Sequence, residues 1–314
     1  MKKKAIIISI KGTSLSNKER SLLLKNNPWG LILFKRNIKS LQQVKKLTNN
    51  IRKLTKDRNF PILIDEEGST VSRLIEIYNH NFDSRLFGDI YQINQKIALA
   101  LYKRYLISLC KNLKKIGINI NTIPVLDIVR KNTNKIIGKR SFSKNKQTVK
   151  KLGEITITNL HSQKVATVIK HIPGHGCSPT DSHLTMPKVG LSVKMLNQID
   201  FYPFKFSKSK LAMTAHILYS KIDSKNVSTF SRKIIKNIIR KKIGFKGILM
   251  SDDISMRALK YDLVTNAIKS LNAGCNLVLY CAGNIKDNLK LIKAVPNIDK
   301  FTIKKTSEIY KILR

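Results

Sequence analysis

V-A-T-V-I-K-H-I-P-G-H-G-C-S-P-T-D-S-H, residues 165–183, starts as an apolar run and ends as a loop punctuated by glycine and proline, with three of the chain's six histidines. Residues 165–171 have the length and β-branched content of a buried strand, and the polar, chemistry-bearing side chains begin where that strand should stop. Gly174, Gly176 and Pro179 predict an irregular loop that moves over whatever site it borders.

The same unit recurs in both directions along the chain. Residues 5–10, 30–34, 61–65, 118–127, 211–216, 247–252 and 276–281 also read as short buried strands, which makes eight with 165–171. Between them lie longer polar–apolar segments of helical character, 41–54, 90–116, 144–162, 232–242 and 256–272. Eight strand–helix alternations predict an α/β chain folded as one parallel (β/α)₈ barrel over residues 1–314. An open doubly wound sheet is the competing architecture, and the Gly-rich phosphate fingerprint usual to it is missing.

The chain has 314 residues, 42% of them hydrophobic, enough for one large core, and no Pro/Gly/Ser-rich linker divides it. Its opening, M-K-K-K-A-I-I-I-S-I-K, imitates a secretory signal, but the apolar stretch ends at Lys11 and reads better as a first strand. No uncharged apolar run approaches the ~18 residues of a membrane span. Cys110, Cys177, Cys275 and Cys281 have no C-x-x-C spacing, so reduced thiols in a cytoplasmic protein are expected. Sixty Lys and Arg against 19 Asp and Glu give a formal charge of +41. These cations are spread along the chain amid Ile and Asn, without Arg–aromatic interleaving, so compositional drift is favoured over a specific nucleic-acid role.

In so basic a chain the acids stand out. Six of the 19 fall in three short segments, Asp65-Glu66-Glu67, Asp181 and Asp252-Asp253, each just after a strand-like run. Asp65, Asp127, His171, His216 and Asp252 each close such a run, and a barrel gathers the C-terminal ends of its strands on one rim. A strand-end Asp is also a common helix N-cap, and for Asp127 the two readings balance.

Several motifs in order make the reading more specific. G-L-I-L-F-K-R-N (30–37), D-E-E-G-S-T-V-S-R (65–73), I-G-K-R-S-F (137–142), K-H-I-P-G-H-G (170–176) followed by D-S-H (181–183), M-T-A-H (213–216) and S-D-D-I-S-M (251–256) resemble the glycoside hydrolase family 3 β-N-acetylhexosaminidases, in particular their bacterial peptidoglycan-recycling branch. The resemblance spans about residues 30–281. It implies a retaining hydrolase that removes terminal β-linked N-acetylglucosamine, with Asp252 as nucleophile and His183 as acid/base oriented by Asp181. In the same way Asp65, Arg73, Arg140, Lys170 and His171 match sugar-binding positions. The implied substrate is a peptidoglycan-derived amino sugar, the implied setting is cell-wall recycling with its links to cell shape and division, and a monomer without cofactor or membrane contact is expected. The sequence departs from the family where D-Q-E-G-G-R reads D-E-E-G-S-T, and in a short tail beyond Cys281.

The chemistry agrees with the residue types. Retention needs one carboxylate to attack the anomeric carbon and a second group to protonate the leaving oxygen and then activate water. An imidazole can take the second role because its pKa lies near neutrality, and an acid two residues away can fix its tautomer. A metal centre of His171, His175, His183 and Asp181 is disfavoured, since Pro173-Gly174 prevents His171 and His175 from sharing a helix face. His175 reads instead as a buried structural histidine, His80 and His161 as surface or packing residues, and Asp253 as a structural acceptor. Alternatives are a broader family 3 glycosidase or phosphorylase, and a noncatalytic basic scaffold that binds nucleic acid.

Overall fold

The computed structural model of the chain describes residues 3–78, 82–131, 133–135, 137–178, 180 and 186–314. Eight strands close a parallel barrel: β1 (Lys4–Ile8), β2 (Pro28–Leu33), β3 (Ile62–Ile64), β4 (Ile120–Asn121), β5 (Ala166–Ile172), β7 (Leu211–Thr214), β9 (Ile248–Asp253) and β10 (Leu277–Tyr280). Each lies within or beside one of the eight predicted runs. The other two strands, β6 (Lys188–Val189) and β8 (Leu218–Tyr219), pair with each other outside the barrel.

The near-continuous apolar content of the runs follows from burial on both faces. Along β1, Ala5 and Ile7 point into the barrel with Trp29, Leu63, Val168, Met213, Met250 and Leu279. Ile6 and Ile8 point outward and pack with Ile62, Ile64 and the helix residues Val44, Leu47 and Ile51. Each fully buried aliphatic side chain contributes about 1.5–3 kcal/mol of transfer free energy. At the N-terminal mouth the Trp29 indole N–H donates to Thr306 Oγ1 at 2.8 Å, and Ile309 of the same helix, Lys300–Ile312, joins the interior cluster. That helix is the floor of the barrel, and it leaves the C-terminal mouth for chemistry.

The departures from expectation are local. Predicted strand 118–127 pairs regularly only at Ile120–Asn121, because Pro124 has no N–H for the ladder; Val125 rejoins by a bridge to Lys170. Predicted helix 90–116 is two helices, Ser84–Ile93 and Gln95–Lys115, since Asn94 leaves helical geometry and its side chain accepts from Ile97 N–H at 3.1 Å. Predicted helix 256–272 starts at Leu263, where Asp262 caps Val264 and Thr265. Segment 232–242 winds as a π-helix over Ile234–Lys242. Helices Asn17–Asn26, Ile285–Ala294 and Lys300–Ile312 were not anticipated. Among the described residues no helix is long and apolar enough to cross a membrane.

Candidate active site

At the C-terminal ends of the strands lies a cavity of about 240 Å³ lined by Asp65, Arg73, Arg140, Lys170, His171 and Asp252, with Glu67, His175, Met213 and Cys281 among its other walls. It gathers six of the eight predicted site residues. The other two, Asp181 and His183, lie outside the described residues, as does His80. A larger cavity, about 680 Å³, opens elsewhere between Leu74, Phe82, Phe87 and Tyr105. Its walls are mainly apolar, without the converging charges of the smaller one, and the smaller is the candidate site on chemistry rather than size.

Lys170 is the hub of the charge network. A regular strand would send it and His171 to opposite faces, but the register of β5 on β7 shifts between Ile169 and Ile172, and both residues line the cavity. The ammonium lies 2.6 Å from Glu67 Oε1, 3.0 Å from Asp65 Oδ1 and 2.8 Å from Thr122 Oγ1. Arg140 grips Glu67 by two bonds, Nε to Oε2 at 2.7 Å and Nη2 to Oε1 at 2.9 Å. Arg73 Nη2 reaches Asp65 Oδ2 at 3.4 Å, and Thr122 donates its hydroxyl to the other Asp65 oxygen. Burial alone would raise both carboxyls. Lys170 and Arg73 nevertheless hold Asp65 well below the usual carboxylate range, and Arg140 and Lys170 hold Glu67 at about 2. Burial would lower Arg140, but Glu67 raises its pKa above the ordinary guanidinium value.

The loop that carries these groups keeps a tight turn despite its altered sequence. Glu67 N–H donates to Val71 O at 2.9 Å, Gly68 has φ +149°, and Glu66 accepts the backbone N–H groups of Arg73 and Leu74 at 2.7 and 3.0 Å. Asp65 and Arg73 therefore still meet across Ser69 and Thr70.

Asp127 is no helix cap. It is buried under the site, takes the His171 Nδ1 bond at 2.7 Å and accepts the His175 backbone N–H at 2.6 Å. The Nδ1 bond leaves Nε2 of His171 facing Arg140 Nη2 at 3.5 Å. Burial works against the Asp127 charge, but His171 and His175 hold its pKa below the ordinary value. His175 is buried at the cavity wall with its ring edge-on to His171, and burial lowers it to about 4, so the ring is neutral at pH 7. His161 is a packing residue bonded to Thr167 at 3.0 Å.

Asp252 ends β9. Burial opposes its charge, yet His171, His216, the Asp253 N–H at 2.8 Å and Lys170 keep its pKa below the ordinary carboxylate value. Asp253 has a structural place, as expected: it accepts from Ser255 N–H and Oγ and from Cys281 N–H at 3.1, 2.7 and 3.2 Å. Burial raises its pKa. His216 stands behind the pair, with ring nitrogens 2.7 Å from Thr229 Oγ1 and 3.0 Å from Asp253 O. Among the described residues no group of three or more His, Cys, Asp or Glu is arranged to hold a metal ion.

The cavity thus sets fixed, ion-paired donors and acceptors beside the Asp252 carboxylate near a strand end. The family model for the glycosyl hydrolase family 3 N terminal domain matches residues 2–309. The chain belongs to glycosyl hydrolase family 3. Two similar relatives are the β-hexosaminidases of Nitrosomonas eutropha, 33% identical over 88% of this chain and 80% of its own length, and Haemophilus influenzae, 31% identical over 93% and 85%. NagZ from Neisseria gonorrhoeae, solved in complex with N-trifluoroacetyl-D-glucosamine, superposes with a TM-score of 0.90 at 30% identity, covering 98% of this chain and 90% of its own. A family 3 β-N-acetylglucosaminidase from Paenibacillus sp. str. FPU-7 matches with a TM-score of 0.86 at 25% identity, and this chain spans 60% of that longer protein. The glycoside hydrolase class, the family and the barrel expected from the sequence are thus all found.

Sequence reasoning missed the roles of Glu67 and Thr122 and left Asp127 undecided. The cluster of acids after β3 was the available signal for Glu67; no local signal marks Thr122.

Proposed function

We propose that this family 3 glycoside hydrolase is a retaining exo-β-N-acetylglucosaminidase that acts on cytoplasmic peptidoglycan fragments, GlcNAc-1,6-anhydroMurNAc and its peptides, as a monomer without a cofactor. The observation that carries the reading is Asp252, an ionised carboxylate at the end of β9 in a cavity otherwise walled by paired charges. At roughly 30 Å³ per water the cavity holds about eight waters. That is the scale of one sugar residue rather than a chain, which suits removal of a terminal unit.

Binding of that residue falls to Asp65, Arg73, Arg140, Lys170 and His171, whose mutual ion pairs and hydrogen bonds fix their positions before substrate arrives. Asp252 would attack the anomeric carbon and form a glycosyl ester with inverted configuration, and water would then restore the β configuration. The leaving oxygen needs a proton. Asp65 and Glu67 are unsuited to give one, because their cations keep both ionised at neutral pH, and His175 is neutral at that pH. The family resemblance implies His183 for this role, oriented by Asp181, and an imidazole can act as acid in the first step and base in the second.

Product analysis with GlcNAc-1,6-anhydroMurNAc, chitobiose and an alkyl β-glucoside tests the proposal. Release of β-GlcNAc, fastest from the anhydro-disaccharide, is expected. An α-configured first product, or a preference for the glucoside, would refute it.

A further inference from the structure

The segment that leaves β5 is tied down at its root, and the ties belong to none of the groups around the sugar cavity. The buried Tyr219 side chain donates its hydroxyl to the carbonyl of Gly174 at 2.5 Å. Tyr219 also belongs to β8, which pairs with β6 in the register Lys188 to Leu218 and Val189 to Tyr219. Leu218 N–H donates to Pro187 O at 2.9 Å, and Ser220 N–H to Val189 O at 3.0 Å. One residue thus meets the outgoing chain at Gly174 through its side chain and the returning chain at Val189 through its strand.

The root is held from other sides as well. Asp200, whose side chain is fully buried, pairs with Arg130 and packs on Gly174: a Cβ at that glycine would lie 2.9 Å from Asp200 Cβ, and its φ of +137° favours glycine in any case. Thr133 Oγ1 donates to Gly176 O at 2.5 Å, and Asn134 N–H to Ser178 O at 3.1 Å. At Gly176 a Cβ would come within 1.8 Å of Ile128 O. The pair joins a fully buried carboxylate to a partly exposed guanidinium beside Gly174, at the root of the loop.

We infer that Tyr219, supported by Arg130, Asp200 and Thr133, is a positioning residue for proton transfer: it clasps the two ends of the loop that carries Asp181 and His183, and so sets where the imidazole meets the leaving oxygen. The inference rests on the reading of Asp181 and His183 as the acid/base pair. His183 is five residues beyond Ser178 in the chain, and a misplacement of about 1 Å in a catalytic group costs up to about 100-fold.

The test uses Tyr219→Phe, which keeps the ring and deletes only the clasping hydroxyl, with Thr133→Val as a second variant and His183→Ala as reference. Each is assayed on 2,4-dinitrophenyl β-GlcNAc, whose leaving group needs little protonation, and on GlcNAc-1,6-anhydroMurNAc, whose leaving group needs it. Both clasp variants should lose about tenfold or more in kcat on the disaccharide, less than about threefold on the aryl glycoside, and little in KM. That is the His183→Ala pattern in milder form. Equal losses on both substrates, or no loss, with His183→Ala still selective, would overturn the clasp alone. An unselective His183→Ala would overturn the acid/base reading and the clasp with it. Should Tyr219→Phe fail to fold, Thr133→Val decides between these outcomes.

Discussion

Lys170→Met removes the cation that two buried carboxylates share, and the consequence can be worked from distances. The Lys170 side chain is 3% exposed and lies 2.6 and 3.0 Å from Glu67 and Asp65. At an effective dielectric of about 20 each contact has a Coulomb energy of roughly 6 kcal/mol, most of it offset by desolvation of the three charges. Breaking a buried pair by deleting one partner costs about 3–5 kcal/mol net. Glu67 keeps Arg140 and Asp65 keeps Arg73, which points to the lower end, about 3 kcal/mol. With an unfolding entropy of about 2.1 cal/mol/K per residue, that is a fall in Tm of about 4–5 °C for a chain this long. The pH dependence adds a second handle. Depressed carboxylate pKa values contribute stability above the unfolded values near 4 and lose it as pH falls through the folded ones. The deficit of Lys170→Met should therefore be full at pH 7 and shrink as pH drops below about 4. Calorimetry at pH 7 and pH 3, with KM for a chromogenic N-acetylglucosaminide measured alongside at pH 7, makes the comparison. A Tm change under about 1 °C at pH 7, a deficit that widens on acidification, or an unchanged KM would refute the hub assigned to Lys170.

Asp252→Ala should abolish turnover while leaving the far-UV spectrum and Tm near those of the parent, and a 2-fluoro sugar inactivator should label Asp252; a label on Asp65 or Asp253 would transfer the nucleophile's role. His175, held neutral at about 4 against an ordinary 6.5, contributes stability that is full above pH 6.5 and lost as pH falls toward 4, up to about 3 kcal/mol. The urea midpoint should drop across that window, and His175→Gln should flatten the drop. The charge of +41 predicts DNA or RNA binding that is indifferent to sequence and falls steeply with salt. A complex that survives physiological salt and discriminates among sequences would contradict the reading of this charge as drift.

The barrel was legible because each strand is buried on both faces and so reads as an apolar run, and because Asp65, His171 and Asp252 occupy the ends of such runs. What the sequence concealed is pairing through space. Glu67 and Arg140 stand 73 positions apart and meet only when β3 and the loop after β4 share a rim. Asp127 was undecided because a cap and a histidine clamp look alike in sequence; what distinguishes them is that its neighbours are His171 and His175 rather than the first turn of a helix. The split of segment 90–116 was hidden for a similar reason. Asn94 interrupts no apolar periodicity, and only its backbone geometry shows that one helix ends there and another starts.

The chain's single tryptophan lies in the floor of the barrel, bonded to a helix 277 positions further on, while the sugar cavity opens at the other mouth. Intrinsic fluorescence is therefore a private channel for one event. Because β1 finds β10 only after nearly the whole chain has been synthesised, a nascent chain carries two open sheet edges until late, and the Trp29 indole stays wet until Thr306 arrives. A blue shift in emission would time the completion of the barrel during translation, and the same signal should stay silent as substrate comes and goes at the opposite end.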